Sequence, residues 1–193
     1  MPVKGAHNII GDRAFGTEAS QVIELADSFA KGLADGGVVA VLKHIPGHGR
    51  ARADSHHELP IVDTALEILR VTDFVPFKAL SHLPMAMTAH VLFTAIDSKK
   101  MATVSPRAIS IIREEIGFDG LLMSDDLSMK AMQGDFTQRT RDVLAAGCDV
   151  VLHCNGDMAE MLAVERGLET LSGKTLQRAE RSMIGAGRVK EFS

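Results

Sequence analysis

Short apolar runs that each end in polar residues, alternating with stretches of helical spacing, constrain the fold of this chain more than any other feature. The runs are Gly37-Val38-Val39-Ala40-Val41-Leu42, Met85-Ala86-Met87-Thr88-Ala89-His90, Gly120-Leu121-Leu122-Met123-Ser124-Asp125-Asp126 and Cys148-Asp149-Val150-Val151-Leu152-His153. The first is unbroken by polar residues, which predicts a strand buried on both faces. Thr17 and Glu18 open a helix that keeps Val22, Leu25, Ala26, Phe29 and Leu33 on one face and ends at Gly36-Gly37. Ser105 as N-cap, Pro106 in the first turn, Ile109, Ile112 and Ile116 on one side and Gly117 as the stop predict another. The segment from Lys174 to Lys190 reads as a solvated amphipathic helix.

Strands alternating with amphipathic helices imply an α/β fold with a parallel sheet and right-handed crossovers. A doubly wound sheet would carry a glycine-rich nucleotide loop after its first strand. Pro46-Gly47-His48-Gly49 has neither the dinucleotide spacing nor a P-loop lysine. A (β/α)₈ TIM-type barrel fits better, because it gathers distant strand ends at one site. A full barrel takes about 250 residues and eight strands, whereas 193 residues and four runs supply half of that. The expectation is a single domain over residues 1–193 forming an incomplete barrel of about four parallel strands, whose open edges invite self-association.

A net charge of -4 from 21 basic and 25 acidic residues, with no long run of either sign, argues against a nucleic-acid or membrane partner. No apolar stretch reaches the roughly 20 residues of a membrane span. The first residues do not begin a signal peptide, so a cytoplasmic location is expected. Cys148 and Cys154 flank one run and lie about 20 Å apart if it is a strand, too far for a disulfide, so both are expected to be reduced core thiols. Ten methionines, among them Met85, Met87 and Met123, read as core filler. With no Trp or Tyr, the ring stacking by which proteins usually grip long polysaccharides is left to Phe, so recognition of any ligand would have to be mostly polar.

The chemistry is concentrated after the first run, in Lys43-His44-Ile45-Pro46-Gly47-His48-Gly49 and Asp54-Ser55-His56. His44 and His48 have the spacing of a helical zinc motif, but Pro46 and Gly47 forbid that helix. A loop-built metal site from Asp54, His56 and His57 stays open as an alternative, beside plain solvated turns for His48 and His57. Asp54 can instead hold one nitrogen of His56 and leave the other as a general acid/base, on a loop that looks mobile from Gly47 to Asp54. Asp125 and Asp126 end the third run, and strand alternation lets at most one of them face a site. Spacing alone does not choose between nucleophile and structural cap.

In order along the chain, Gly11-Asp12-Arg13-Ala14-Phe15-Gly16, the Lys43-to-Gly49 block with Asp54-Ser55-His56, Met87-Thr88-Ala89-His90, and Gly117-Phe118-Asp119-Gly120 leading to Ser124-Asp125-Asp126-Leu127-Ser128-Met129 resemble the bacterial β-N-acetylhexosaminidases of glycoside hydrolase family 3, enzymes of peptidoglycan recycling. The resemblance implies a retaining glycosidase with a covalent glycosyl-enzyme intermediate. It implies Asp125 as nucleophile, His56 with Asp54 as acid/base, and Arg13, Lys43 and His44 as sugar-binding residues. The implied substrate is terminal β-linked N-acetylglucosamine on small muropeptide fragments such as N-acetylglucosaminyl anhydro-muramic acid, handled without cofactor or metal. Family members carry a long stretch of barrel ahead of the Arg13 block, including an acidic sugar-binding residue. An N-terminally truncated member is therefore expected, with an inactive fragment that at most binds sugar as the alternative.

Overall fold

The computed structural model describes residues 1–3, 11–51 and 59–184. A 3₁₀ turn, Gly11–Arg13, leads to α1 (Ala19–Asp35), β1 (Val41–Ile45), β2 (Ile61–Val62), α2 (Leu66–Val71), α3 (Phe74–Ala79), β3 (Met85–Thr88) and β4 (Leu92–Phe93). Then follow α4 (Pro106–Ser110), β5 (Leu121–Asp126), α5 (Phe136–Ala146), β6 (Val150–Leu152), α6 (Met158–Glu165) and α7 (Gly173–Met183). The main sheet runs β1-β3-β5-β6, and β2 pairs β4 in a small second sheet. Every pairing is parallel, as the alternating pattern requires. Among the described residues the chain therefore forms four strands of a barrel-type sheet, with β1 and β6 at its edges.

Local chemistry explains most boundaries. The Ser105 hydroxyl accepts from the Ala108 amide at 3.2 Å, so the expected cap is made, and it donates to Asp97 at 2.7 Å. Past Ser110 the helix widens into a π turn at Ile111–Glu115 before Gly117 ends it. α5 ends at Gly147 with φ 109°, a left-handed cap that only glycine adopts cheaply. Gly120 has a different reason: a Cβ there would lie 2.6 Å from the Pro84 carbonyl oxygen, where Leu121 pairs with that carbonyl to start β5 beside β3.

The first strand departs from expectation. It starts at Val41 rather than Gly37 and runs through Lys43 and His44 to Ile45, so those polar residues belong to the strand rather than follow it. Val38 is exposed because the chain leaving Gly36-Gly37 makes no ladder with β3 until Val41. One continuous core joins the sheet to α2, α3, α4 and α5 through Leu42, Phe74, Ala86, Ile112, Leu122 and Val143. The other side of the sheet is thinly covered. Met85, Met87 and Met123, expected as core filler, are only half-buried, and along α1 only Ala30 is buried while Phe29 is 59% exposed.

The N-terminal ends of the strands are held by charge. Asp149, 3% exposed, accepts from Arg113 at 2.6 Å and the Leu122 amide at 2.8 Å on one oxygen, and from Thr175 at 3.0 Å and Arg178 at 3.2 Å on the other. Arg113 also donates to the carbonyls of Phe118 and Gly120. One carboxylate thus fastens the π turn, β5, β6 and α7 together. Replacing Asp149 with alanine would leave Arg113 with only the carbonyls of Phe118 and Gly120, Arg178 with only the exposed Asp119, and the Leu122 amide without its acceptor. The expected cost is about 3–5 kcal/mol, measured as a lowered urea midpoint, and a midpoint near wild type would refute this role.

Candidate active site

Parallel pairing brings the C-terminal ends of β1, β3, β5 and β6 to one edge of the sheet. Lys43 pairs in register with Met87, and Met87 with Met123. Asp125 stands two residues beyond Met123, which returns it to the face that carries Lys43, and the ladder shifts register between Lys43 and Ile45, so simple alternation does not hold for His44. His44 Nε2 lies 3.7 Å from Asp125 Oδ2, with the two side chains 16% and 15% exposed. Burial pushes the His44 pKa down to about 4; Asp125 opposes the shift, while His48, Lys43 and Arg13 add to it. At neutral pH His44 is an uncharged imidazole beside a carboxylate.

The choice between the two aspartates, open in the sequence, follows from their partners. Asp126 Oδ1 accepts from the Ser128 and Cys154 amides at 3.0 and 3.1 Å, and its Oδ2 accepts from the Ser128 hydroxyl. Burial alone would raise its pKa, but these donors outweigh burial and hold the carboxyl below its ordinary value. Asp126 is committed to tying the end of β5 to the end of β6. Among the described residues Asp125 Oδ1 accepts from the next amide, that of Asp126, at 2.9 Å, and its Oδ2 faces His44.

Two histidines gain definite places. His90 is fully buried, with Nδ1 2.8 Å from the Thr103 hydroxyl and Nε2 3.1 Å from the Asp126 carbonyl oxygen. Burial lowers its pKa, against the pull of Asp125 and Asp126. His48, expected as a solvated turn residue, is instead half-buried, its ring centroid 5.7 Å from that of His44. The reason is Arg50, which donates to Asp73 at 2.6 Å and to Thr72 at 3.1 Å and pins the start of the loop against the α2–α3 corner. Residues 47–51, expected to be mobile, are anchored there. Asp54, His56 and His57 lie outside the described residues, and with them the acid/base pair and the loop-built metal alternative. Among the described residues no group of three or more potential ligands is placed to hold a metal.

Arg13, on the 3₁₀ turn, joins Lys43, His44 and His48 around an apolar cavity of about 330 Å³. This cavity runs beneath α1 along the unpaired edge of β1, past Phe29 and Leu33, and Asp125 is not in its wall. It is the gap beside an edge strand more than a cleft over the carboxylate. Farther out, His153 bonds Glu160 at 2.8 Å, and His82 lies 3.3 Å from Asp27. Cys148 is buried, and burial pushes its thiol up to about 12. Cys154 is exposed, so the expectation of two core thiols holds for Cys148 alone. Among the described residues no helix is long and apolar enough to cross a membrane.

Residues 3–184 match the glycosyl hydrolase family 3 N-terminal domain. The beta-hexosaminidase of Tolumonas auensis is 40% identical over 174 residues, which cover 88% of this chain and 52% of that protein. The beta-hexosaminidase of Alkalilimnicola ehrlichii is 44% identical over 157 residues, covering 79% of this chain and 45% of its own length. Among solved structures, NagZ from Neisseria gonorrhoeae in complex with N-trifluoroacetyl-D-glucosamine is 34% identical with a TM-score of 0.80, over 94% of this chain and 53% of that one. A family 3 beta-N-acetylglucosaminidase from Paenibacillus sp. str. FPU-7 matches 100% of this chain and 40% of its own, with a TM-score of 0.86 and 29% identity. The chain spans about half the length of the curated relatives it matches. The four parallel strands, the Lys43-His44 strand end and the lone presented carboxylate of Asp125 thus sit in a chain that belongs to glycosyl hydrolase family 3, through its N-terminal domain.

Proposed function

We propose that this chain contributes the nucleophile and part of the sugar-binding wall of a retaining glycosidase that removes terminal β-linked N-acetylglucosamine from small peptidoglycan fragments in the cytoplasm. The observation that carries the reading is the division of labour at the end of β5, where Asp126 is consumed by three donors and Asp125 presents one oxygen beside His44. The names of the relatives support it: the Tolumonas protein is a beta-hexosaminidase, and the Neisseria structure holds an N-acylated glucosamine.

In this reading Asp125 attacks the anomeric carbon as the bond to the leaving group breaks, and His56, oriented by Asp54, gives its proton to the departing oxygen. Water then attacks the glycosyl-aspartate, His56 takes the water's proton, and Asp125 is released as a carboxylate. Arg13 and Lys43 donate to sugar oxygens. Neutral His44 can donate or accept with a hydroxyl without placing a second positive charge beside the forming oxocarbenium.

The open edge of β1 and the half-buried methionine face support a further part of the proposal: the remaining strands of the barrel come from elsewhere. An N-terminal segment of a longer polypeptide fits the length of the relatives. A second copy meeting edge to edge is the other source.

Asp125→Asn is expected to lower release of p-nitrophenol from its β-N-acetylglucosaminide on the order of 10⁴-fold or more in any form that turns over. Retained activity would remove Asp125 from the role. His44 also makes stability pH-dependent. The unfolded chain protonates this residue near 6.5, while the folded chain does so only near 4. Between those values the unfolded state binds the extra proton. Stability is therefore full above about 6.5 and falls as the pH drops toward about 4, and a His44→Gln chain is expected to lose that part of the slope in denaturation at stepped pH. Finally, light scattering on the chain alone is expected to show association above its 20.7 kDa mass. A stable monomer that binds no hydrophobic dye would refute the open-face reading.

A further inference from the structure

His90 has no part in the chemistry above, yet it is a fully buried imidazole tied to the residue that follows the nucleophile. Its proton positions follow from its partners. The carbonyl of Asp126 can only accept, so Nε2, at 3.1 Å, carries the hydrogen. Burial pushes the ring toward its neutral form; Asp125 and Asp126 favour the charged one, and Arg139 opposes it. A neutral ring with Nε2–H leaves Nδ1 bare, so the Thr103 hydroxyl, at 2.8 Å, donates to it rather than to the Ala89 carbonyl at 3.1 Å. Thr103 then accepts from Thr88, at 2.8 Å. All three side chains are 0% exposed, so water does not compete for these bonds.

We propose that His90 is a positioning residue: a proton-ordered chain from Thr88 through Thr103 fixes its Nε2–H on the Asp126 carbonyl and so sets the aim of the Asp125 carboxylate. The link is short. Asp125 Oδ1 is held by the amide of Asp126, and the carbonyl of that same residue accepts from His90 and, at 3.2 Å, from the Met129 amide. Loss of the His90 bond leaves that carbonyl to the Met129 amide alone, so the peptide after Asp126 tilts toward Met129 and turns the Asp125 carboxylate off the anomeric carbon. The proposal rests on Asp125 being the nucleophile.

Histidine-selective ¹⁵N NMR on the chain at neutral pH is expected to show His90 protonated at Nε2 and bare at Nδ1. A ring protonated at Nδ1 overturns the proposal. His90→Leu removes the donor, and kcat on the aryl substrate is expected to fall about 10–100-fold with KM little changed, while His90→Gln, which offers an amide N–H in place of Nε2–H, recovers most of it. Full kcat in His90→Leu overturns the positioning role even where Asp125→Asn is dead. Turnover surviving Asp125→Asn would instead sink the nucleophile reading, and is visible without any His90 variant. If the chain does not turn over, the Asp126 amide decides: its resonance is expected to shift and its hydrogen exchange to speed in His90→Leu and to stay near wild type in His90→Gln, and an unmoved amide in both overturns the proposal. Should His90→Leu fail to fold, Thr103→Val, which deletes the donor to Nδ1 together with the acceptor for Thr88, is read in the same way: loss of the fixed Nε2–H tautomer supports the chain of bonds, and its retention overturns it.

Discussion

Parallel pairing is the constraint from which the rest of this structure follows. A strand that returns parallel to its neighbour needs a crossover, and each crossover delivers the next strand with the same polarity. Four such strands put Lys43 and His44, His90, Asp125 with Asp126, and His153 at one edge of the sheet although they span more than half of the sequence. No local segment could assemble that set. The apolar layers behind Leu42, Ala86 and Leu122 exist to hold the polarity and register that make the edge polar.

The two ends of the sheet use carboxylates for different purposes. At the N-terminal end Asp149 is enclosed by two guanidinium groups, a hydroxyl and an amide, so its charge is spent on cohesion. At the C-terminal end Asp126 is also saturated, but by neutral donors, two amides and a hydroxyl. This difference keeps bound cations away from the neighbouring Asp125. An arginine in place of those amides would set a fixed positive charge one residue from Asp125. Closure with uncharged donors leaves Asp125 beside His44, itself kept uncharged by burial and by the Lys43 and Arg13 charges.

Much of this was legible in the sequence where the signal is local. The parallel α/β class, the Ser105 cap and the polar strand ends could be read because each depends on residues within one or two turns of each other. The start of β1 could not, since Gly37 to Ala40 are as apolar as a strand but lie where β3 offers no ladder. Nor could the roles of Asp125 and Asp126 be separated, because what separates them is the Cys154 amide, 28 residues away. His90 reads as one more histidine until Thr103, 13 residues on, and Asp126, 36 residues on, close around it. His48 looks solvated until Arg50 finds Asp73. The missed features are those whose meaning resides in a distant partner.

The half-buried row of Met85, Met87 and Met123 bears on how this sheet meets its complement. Unbranched thioether side chains turn about three bonds and settle into many shapes at little cost, unlike the branched residues that fill a closed barrel's interior. A layer made of them sets few steric demands on the surface laid against it. A surface packed there could change its own packing residues through evolution without a matching change on this side. The strand ends that carry Lys43, His44 and Asp125 would stay in place through such changes.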